Sequence, residues 1–194
     1  MESLLENIKV SIKNGLNTIT LVREMRSLDE KKTNLDLKSL NLSRAVQESL
    51  IILSHKIQSK NIDIRVDIRK DLLVWAEETS FVNSVLNNLL SNAIKFSTHD
   101  SSIDISSGQE NGITSLTIRD YGIGIPPGLI KDMFDISKTT TRQGTEGEKG
   151  TGFGMPLVKK FVTAYGGSME LSSEEKKDNA ANHGTEVRLY LKKG

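Results

Sequence analysis

The chain has 194 residues, enough for one domain with a real core and a short appendage. Its 26 Lys and Arg against 25 Asp and Glu leave a net charge of +1, so neither nucleic acid nor membrane contact is expected and any phosphate chemistry has to be local. The lack of cysteine excludes disulfides and thiolate chemistry and agrees with a cytoplasmic address, while no apolar run reaches the ~20 residues that span a bilayer.

Leu5, Ile8, Ile12, Gly15, Ile19 and Val22 recur at steps of three and four without a proline. That seam belongs to an amphipathic helix, lying either on its own domain or against another chain. A polar break over 29–34 sets a boundary near residue 33 and divides the chain into a helical segment, 1–33, and a globular part, 34–194. Leu35, Leu37, Leu40 and Leu42 predict a strand. Ser43 then caps a helix reaching about residue 58, with Val46, Leu50, Leu53 and Ile57 inward. Ile62, Ile64, Val66 and Ile68 alternate with charged or polar residues as a half-buried strand, and 72–76 is expected as its hairpin partner.

A long helix is expected over 79–96, followed by an antiparallel pair around the Asn111-Gly112 turn, with Ile103 and Ile105 on one strand and Leu116 and Ile118 on the other. The Gly/Pro loop 121–128 and a short helix near 129–134 lead into 135–150. That stretch is rich in Thr, Gly, Glu and Lys, has almost no apolar anchor and is expected to be mobile. A helix over 153–165, with Pro156 in its first turn, stops at Gly166-Gly167. Strands over 168–173 and 185–191 flank a polar loop. The expected fold is α+β: a two-layer α/β sandwich with a mixed, mainly antiparallel sheet packed against about three helices, plus the N-terminal helical appendage.

Asn88, Asn92 and Lys95 fall within roughly 60° of one another on an ideal helix, opposite Val82, Val85, Leu86, Leu89, Ala93 and Phe96. The stripe is either a solvated face or a place where amide oxygen meets Mg²⁺ and the lysine meets phosphate. Asp120-Tyr121-Gly122-Ile123-Gly124 after a strand is either a tight turn or a carboxylate aimed at an exocyclic amine, with glycines that let backbone approach a base. Gly150-Thr151-Gly152-Phe153-Gly154 stands before a helix, where free backbone N–H groups receive phosphate. No G-K-[ST] follows it, so it is not a P-loop.

Asn88-Leu-Leu-Ser-Asn92-Ala-Ile-Lys-Phe-Ser97, Asp120-Tyr-Gly-Ile-Gly-Ile-Pro126, Phe134, Gly144-Thr-Glu-Gly-Glu-Lys-Gly150-Thr-Gly-Phe-Gly154 and Gly184-Thr185 stand in this order. Together they resemble the N, G1, F, G2 and G3 boxes of bacterial histidine protein kinases, within the larger ATP-binding fold of DNA gyrase, Hsp90 and the mismatch-repair ATPases. The resemblance implies a domain that binds Mg-ATP and passes its γ-phosphoryl group to a histidine. Asn92 would ligate Mg²⁺ with Asn88 beside it, and Lys95 would touch the phosphates. Asp120 would meet the adenine amine with Thr185 nearby, and Gly122, Gly124 and Ile125 would line that end. Gly150, Thr151, Gly152, Phe153 and Gly154 would line the phosphates, and 134–149 would form a lid. Within the lid Lys138 and Arg142 are the candidate γ-phosphate cations, because the family's aromatic-Arg pair after the F-box phenylalanine is absent. Asn88, Lys95 and Arg142 are the candidate catalytic set.

Position 88 separates the alternatives. The family's ATPases carry a glutamate there as general base, and an amide cannot take a proton from water. A histidine acceptor brings its own nucleophile, so transfer is expected over an ATP-hydrolysing switch or a nucleotide-binding module without transfer. None of His55, His99 and His183 stands in the family's acceptor pattern. The N-terminal helix resembles the second helix of the dimerisation hairpin, so the expected partners are a histidine-containing dimerisation domain of the same kinase and a downstream response regulator. The parent protein is expected to be a homodimeric cytoplasmic or membrane-bound sensor with this part in the cytoplasm.

Overall fold

The computed structural model describes residues 19, 23, 26, 28, 35–135, 138, 140–148, 150–176 and 183–194. Most of the expected N-terminal helix and part of the expected loop 174–184 lie outside the described residues. Ile19, Arg23, Arg26 and Leu28 are helical positions, and Leu28 packs at the edge of the core.

Strand β1 (Lys38–Asn41) runs directly into helix α1 (Leu42–Ile52). The cap is Asn41 rather than Ser43. Its side chain accepts the Arg44 N–H at 2.9 Å and donates to the Lys70 carbonyl at 2.8 Å, so one residue caps the start of the helix and ties down a distant loop. The expected helix over 43–58 is also divided. It breaks at Leu53, whose side chain is buried, and restarts as α2 (Ser54–Ser59), which buries none of its own residues.

Strands β2 (Asp63–Asp67) and β3 (Leu73–Ala76) do not form the expected hairpin. Val74 and Ala76 are fully buried, and β3 pairs antiparallel with β1 in a two-stranded sheet. No residue of β2 is fully buried, and this strand joins the edge of the main sheet parallel to β4. Alternation reveals which face of a strand is wet, not which strand it pairs with.

The expected helix over 79–96 is continuous but not uniform. Glu77 caps α3 (Glu78–Ser80) by accepting the Thr79 and Ser80 N–H groups at 3.1 and 2.7 Å. A π-helical stretch, Phe81–Leu86, follows before α4 (Asn87–Phe96). Its i→i+5 turns are wider than α-turns, and they bury Phe81, Val82, Val85 and Leu86 completely.

The remaining elements are β4 (Ser102–Glu110), β5 (Ile113–Asp120), α5 (Pro127–Ile130), α6 (Gly154–Ala164), β6 (Ser168–Glu174) and β7 (Gly184–Lys192). Asn111 and Gly112 both take positive φ, the requirement of a tight two-residue hairpin turn, and join β4 to β5 as expected. The main sheet has the order β2-β4-β5-β7-β6, antiparallel except for β2 on β4. Ile103, Ile105, Leu116, Ile118, Val187, Leu189 and Leu191 form its dry face. Helices α4 and α6 pack on that face and on each other. The α+β two-layer sandwich with a mixed, mainly antiparallel sheet is therefore the observed fold.

Candidate functional site

One side of α4 along its length, the end of β5, the start of α6 and the loop before it converge at one end of the sandwich. Asp120 is the last residue of β5, in register with Thr185 on β7, and is 5% exposed. Its Oδ1 accepts backbone N–H groups from Gly122 at 3.0 Å and Thr185 at 3.2 Å. Burial pushes its carboxyl up to about 6, against the pull of those two amides and of nearby Arg119 and His183.

The loop beyond Asp120 fits only because of glycine. Gly124 has φ +64°, and a Cβ there would lie 1.9 Å from the Glu174 carbonyl oxygen. Gly184 has φ +117°, and a Cβ there would lie 2.0 Å from the carbonyl oxygen of Asp120. Ser173 of β6 stitches this end together, a residue that sequence reasoning passed over. Its Oγ accepts the Ile125 N–H at 2.8 Å, donates to the Gly184 carbonyl at 2.8 Å and meets the Thr185 hydroxyl at 2.9 Å. The His183 ring nitrogen Nδ1 donates to the Gly122 carbonyl at 2.6 Å.

A cavity of about 680 Å³ opens over α4. Of the residues singled out from sequence, Asn88, Asn92, Lys95, Ile125, Arg142, Gly150, Thr151, Gly152 and Gly154 line it. Asp120, Gly122, Gly124, Phe153 and Thr185 are not among its lining residues. Asp120 and Thr185 are buried, and with Gly122 and Gly124 they build the wall behind Ile125. Lys138 is an exposed residue paired with Asp132 and is not among the lining residues either.

Asn88 donates from Nδ2 to the Ser84 carbonyl at 2.7 Å, which leaves Oδ1 facing Gly154, where a Cβ would come within 2.8 Å of it. The Asn92 amide, on the cavity wall, makes no hydrogen bond to the described residues. Lys95 Nζ donates to the Arg142 carbonyl at 2.9 Å and lies 4.8 Å above the Phe96 ring. Burial holds its ammonium below the ordinary lysine range, with the Lys60 charge adding to that and Glu148 opposing it. Arg142 donates to the Gly124 carbonyl at 2.7 Å, so the lid reaches across to the glycine loop.

The 135–150 stretch, expected to have almost no apolar anchor, is anchored differently in its described part. The turn at 144–148 is tied to the end of α4 by polar contacts rather than apolar ones. Thr145 N–H donates to the Lys95 carbonyl at 3.1 Å and its Oγ1 to the Ser97 carbonyl at 2.7 Å. Lys60, 3% exposed, bonds Thr145 and Glu148 from below. A lysine ending an exposed helix carries no sequence signal of such a role, and a search for apolar anchors overlooks it. Asn83 also lines the cavity, outside the 100° stripe, because the π-helical stretch alters the angular step before residue 87. Among the described residues no group of three or more His, Cys, Asp or Glu could hold a metal ion, and no helix is long and apolar enough to cross a membrane.

Comparison with known proteins agrees with this architecture. Residues 77–194 match the family described as histidine kinase-, DNA gyrase B- and HSP90-like ATPase. The sensor histidine kinase YkoH of Bacillus subtilis is 30% identical over 177 residues, covering 90% of this chain and 37% of the relative. The chain thus spans well under half the length of the curated relatives it matches. Among solved structures, the Acinetobacter baumannii histidine kinase AdeS covers 99% of this chain and 85% of its own at 17% identity, with a TM-score of 0.79. The histidine kinase ThkA, solved in complex with the response regulator protein TrrA, covers 100% of this chain and 52% of its own at 22% identity and a TM-score of 0.73. The chain belongs to the histidine kinase-, DNA gyrase B- and HSP90-like ATPase family, as a catalytic domain of the sensor histidine kinase kind.

Proposed function

We propose that this domain holds Mg-ATP in the cavity over α4 and transfers the γ-phosphoryl group to a histidine on a dimerisation domain of the same kinase, for delivery to a response regulator. The observation that carries the reading is the state of the carboxylates around the cavity. Position 88 is an amide already committed to the Ser84 carbonyl. The two glutamates that line the cavity are engaged elsewhere, Glu146 with His99 and Glu148 with Lys60. Among the described residues that line the cavity no free carboxylate is left to activate a water, whereas a histidine acceptor needs only positioning and charge stabilisation.

Asn92 would hold Mg²⁺: its amide oxygen, which has no partner among the described residues, is the hard ligand that ion takes when waters and phosphate oxygens complete the shell. The ion would supply positive charge to the phosphate oxygens. Lys95, Asn88 and the backbone of 150–154 would orient the phosphates. The buried Asp120 carboxyl would receive the adenine amine, with Thr185 beside it, and Gly122, Gly124 and Ile125 would form the floor of the base site. Arg142, already in the cavity wall, is favoured over Lys138 as the lid cation. ThkA, the relative solved with a response regulator, supports the downstream partner. The parent would be a homodimer with this part on the cytoplasmic side, and sensor histidine kinases among the relatives support a sensor kinase as that parent.

The test is labelled ATP with this chain and a separately made hairpin domain from the same kinase, both at high concentration, since separating the domains discards the effective concentration of a linker. The expected result is acid-labile, base-stable label on the hairpin and none on this chain alone, with Asn92→Ala reducing transfer by about 100-fold or more, a loss of roughly 3 kcal/mol in transition-state stabilisation. Rapid phosphate release by the isolated chain, abolished by Asn92→Ala, would establish the hydrolytic switch instead.

A further inference from the structure

Lys60 lies in none of the nucleotide motifs and follows α2, a helix with no buried residue of its own. Its ammonium has three N–H donors and is surrounded by five oxygens. Three are carbonyls at the C-terminal end of α4: Ile94 at 3.1 Å, Lys95 at 3.1 Å and Ser97 at 3.4 Å. These are the negative end of the helix, where a cation is favourable. The other two belong to the lid: Thr145 Oγ1 at 2.8 Å and Glu148 Oε1 at 2.7 Å.

The lid turn is folded around the same point. Gly144 N–H donates to the Glu148 carbonyl at 2.9 Å, Glu148 Oε2 accepts the Glu146 N–H at 2.8 Å, and Gly147 N–H donates to the Gly144 carbonyl at 3.1 Å. Burial raises the Glu148 carboxyl, but hydrogen bonds from Lys60 and from backbone amides outweigh it and hold the group below its ordinary value. A buried charge has to be paired. Here the pairing is shared between α4 and the lid, two elements 47 residues apart at the Lys95–Arg142 contact. Lys95 thus belongs to both arrangements, since Lys60 and Thr145 hold its carbonyl while its own Nζ holds the lid at Arg142.

We propose that Lys60 is a positioning residue of the nucleotide site: the buried pin on which the lid turn 144–148 docks against the end of α4, so that docking of the lid and placement of Lys95 and Arg142 over the phosphates are one event. Glu148 is its ion-pair partner and Thr145 the second anchor. Only the catalytic consequence rests on the proposed function; the docking itself does not.

The experiment compares wild type with Thr145→Val, Glu148→Gln, Lys60→Met and Lys60→Arg in the full chain. Lys60→Met also strands three carbonyls and the Glu148 charge, so the two lid variants keep the test decisive if that protein does not fold. Hydrogen exchange at the Gly144, Thr145 and Gly147 amides is expected to rise at least about tenfold in Thr145→Val and Glu148→Gln, roughly one factor of ten per 1.4 kcal/mol of lost docking. Melting temperature should fall by only about 3–6 °C, the shift that so local a loss makes in a protein of this size, and adenosine affinity should stay at the wild-type value, while affinity for a nonhydrolysable ATP analogue falls several-fold. Lys60→Arg should restore part of what Lys60→Met loses. In the transfer assay kcat should fall with KM for the hairpin unchanged. Wild-type exchange at these three amides in both lid variants would overturn the proposal, as would loss of adenosine and ATP-analogue affinity in equal measure, which marks general unfolding. If wild type transfers no phosphoryl group yet the amides respond as described, the proposed function fails and the pin stands.

Discussion

Adenosine is expected to bind this domain about tenfold more tightly at pH 7 than at pH 5, and Asp120→Asn is expected to bind it weakly at both. Asp120 is almost fully buried, and its carboxyl is pushed up to about 6 because burial outweighs the Gly122 and Thr185 amides. At pH 5 most of the population therefore carries a proton where the adenine amine needs an acceptor. Adenosine is the right probe because it has no phosphate to titrate over the same range. Stability moves the other way. The folded-state value lies above the ordinary 3.8, so between about pH 4 and 6 the native protein holds a proton that the unfolded chain has released. Stability falls across that window by as much as about 3 kcal/mol and is level above it.

Asparagine carries no charge and its Oδ1 keeps both backbone bonds. Asp120→Asn should therefore melt higher than wild type at pH 7.5, with the difference closing at pH 4.5. A more stable protein that has lost its ligand separates recognition from folding. Calorimetry with adenosine and thermal melts at both pH values check it, and equal adenosine affinity in wild type and Asp120→Asn would remove Asp120 from the base site.

Phe81→Ala is expected to cost about 3–5 kcal/mol, a drop of roughly 10 °C in melting temperature. Phe81 opens the π-helical stretch, is fully buried, and meets the Tyr165 ring edge-on with centroids 6.1 Å apart. Tyr165 is buried where α6 ends, and its hydroxyl lies 2.7 Å from Ser80 Oγ. Phe81 thus joins the segment leading to Asn88 and Asn92 to the helix that begins at the 150–154 glycines. Its loss leaves a cavity between them and should lower nucleotide affinity along with stability. Differential scanning calorimetry of the two proteins checks the magnitude. A change under about 1 kcal/mol would mean that the two helices are held apart from this contact.

How far the sequence reached is clearest residue by residue. The stripe of Asn88, Asn92 and Lys95 was legible because helical spacing is local geometry, and all three line the cavity. The β4–β5 hairpin was legible because Asn111-Gly112 dictates its own turn. The glycine-rich loop at the end of β5 was legible because close backbone packing there leaves no room for a side chain.

Only the tertiary structure decided the partner of β3, because two strands with the same alternation are interchangeable until burial separates them. It also decided the π-helical register that brings Asn83 to the cavity, since i→i+5 turns follow from the packing of Phe81 and its neighbours and not from propensity. The docked lid is the largest such difference. Its anchor is one buried ammonium at Lys60, 85 residues from Thr145, and contacts made across that separation are electrostatic and directional. They leave no periodic trace in the chain that makes them.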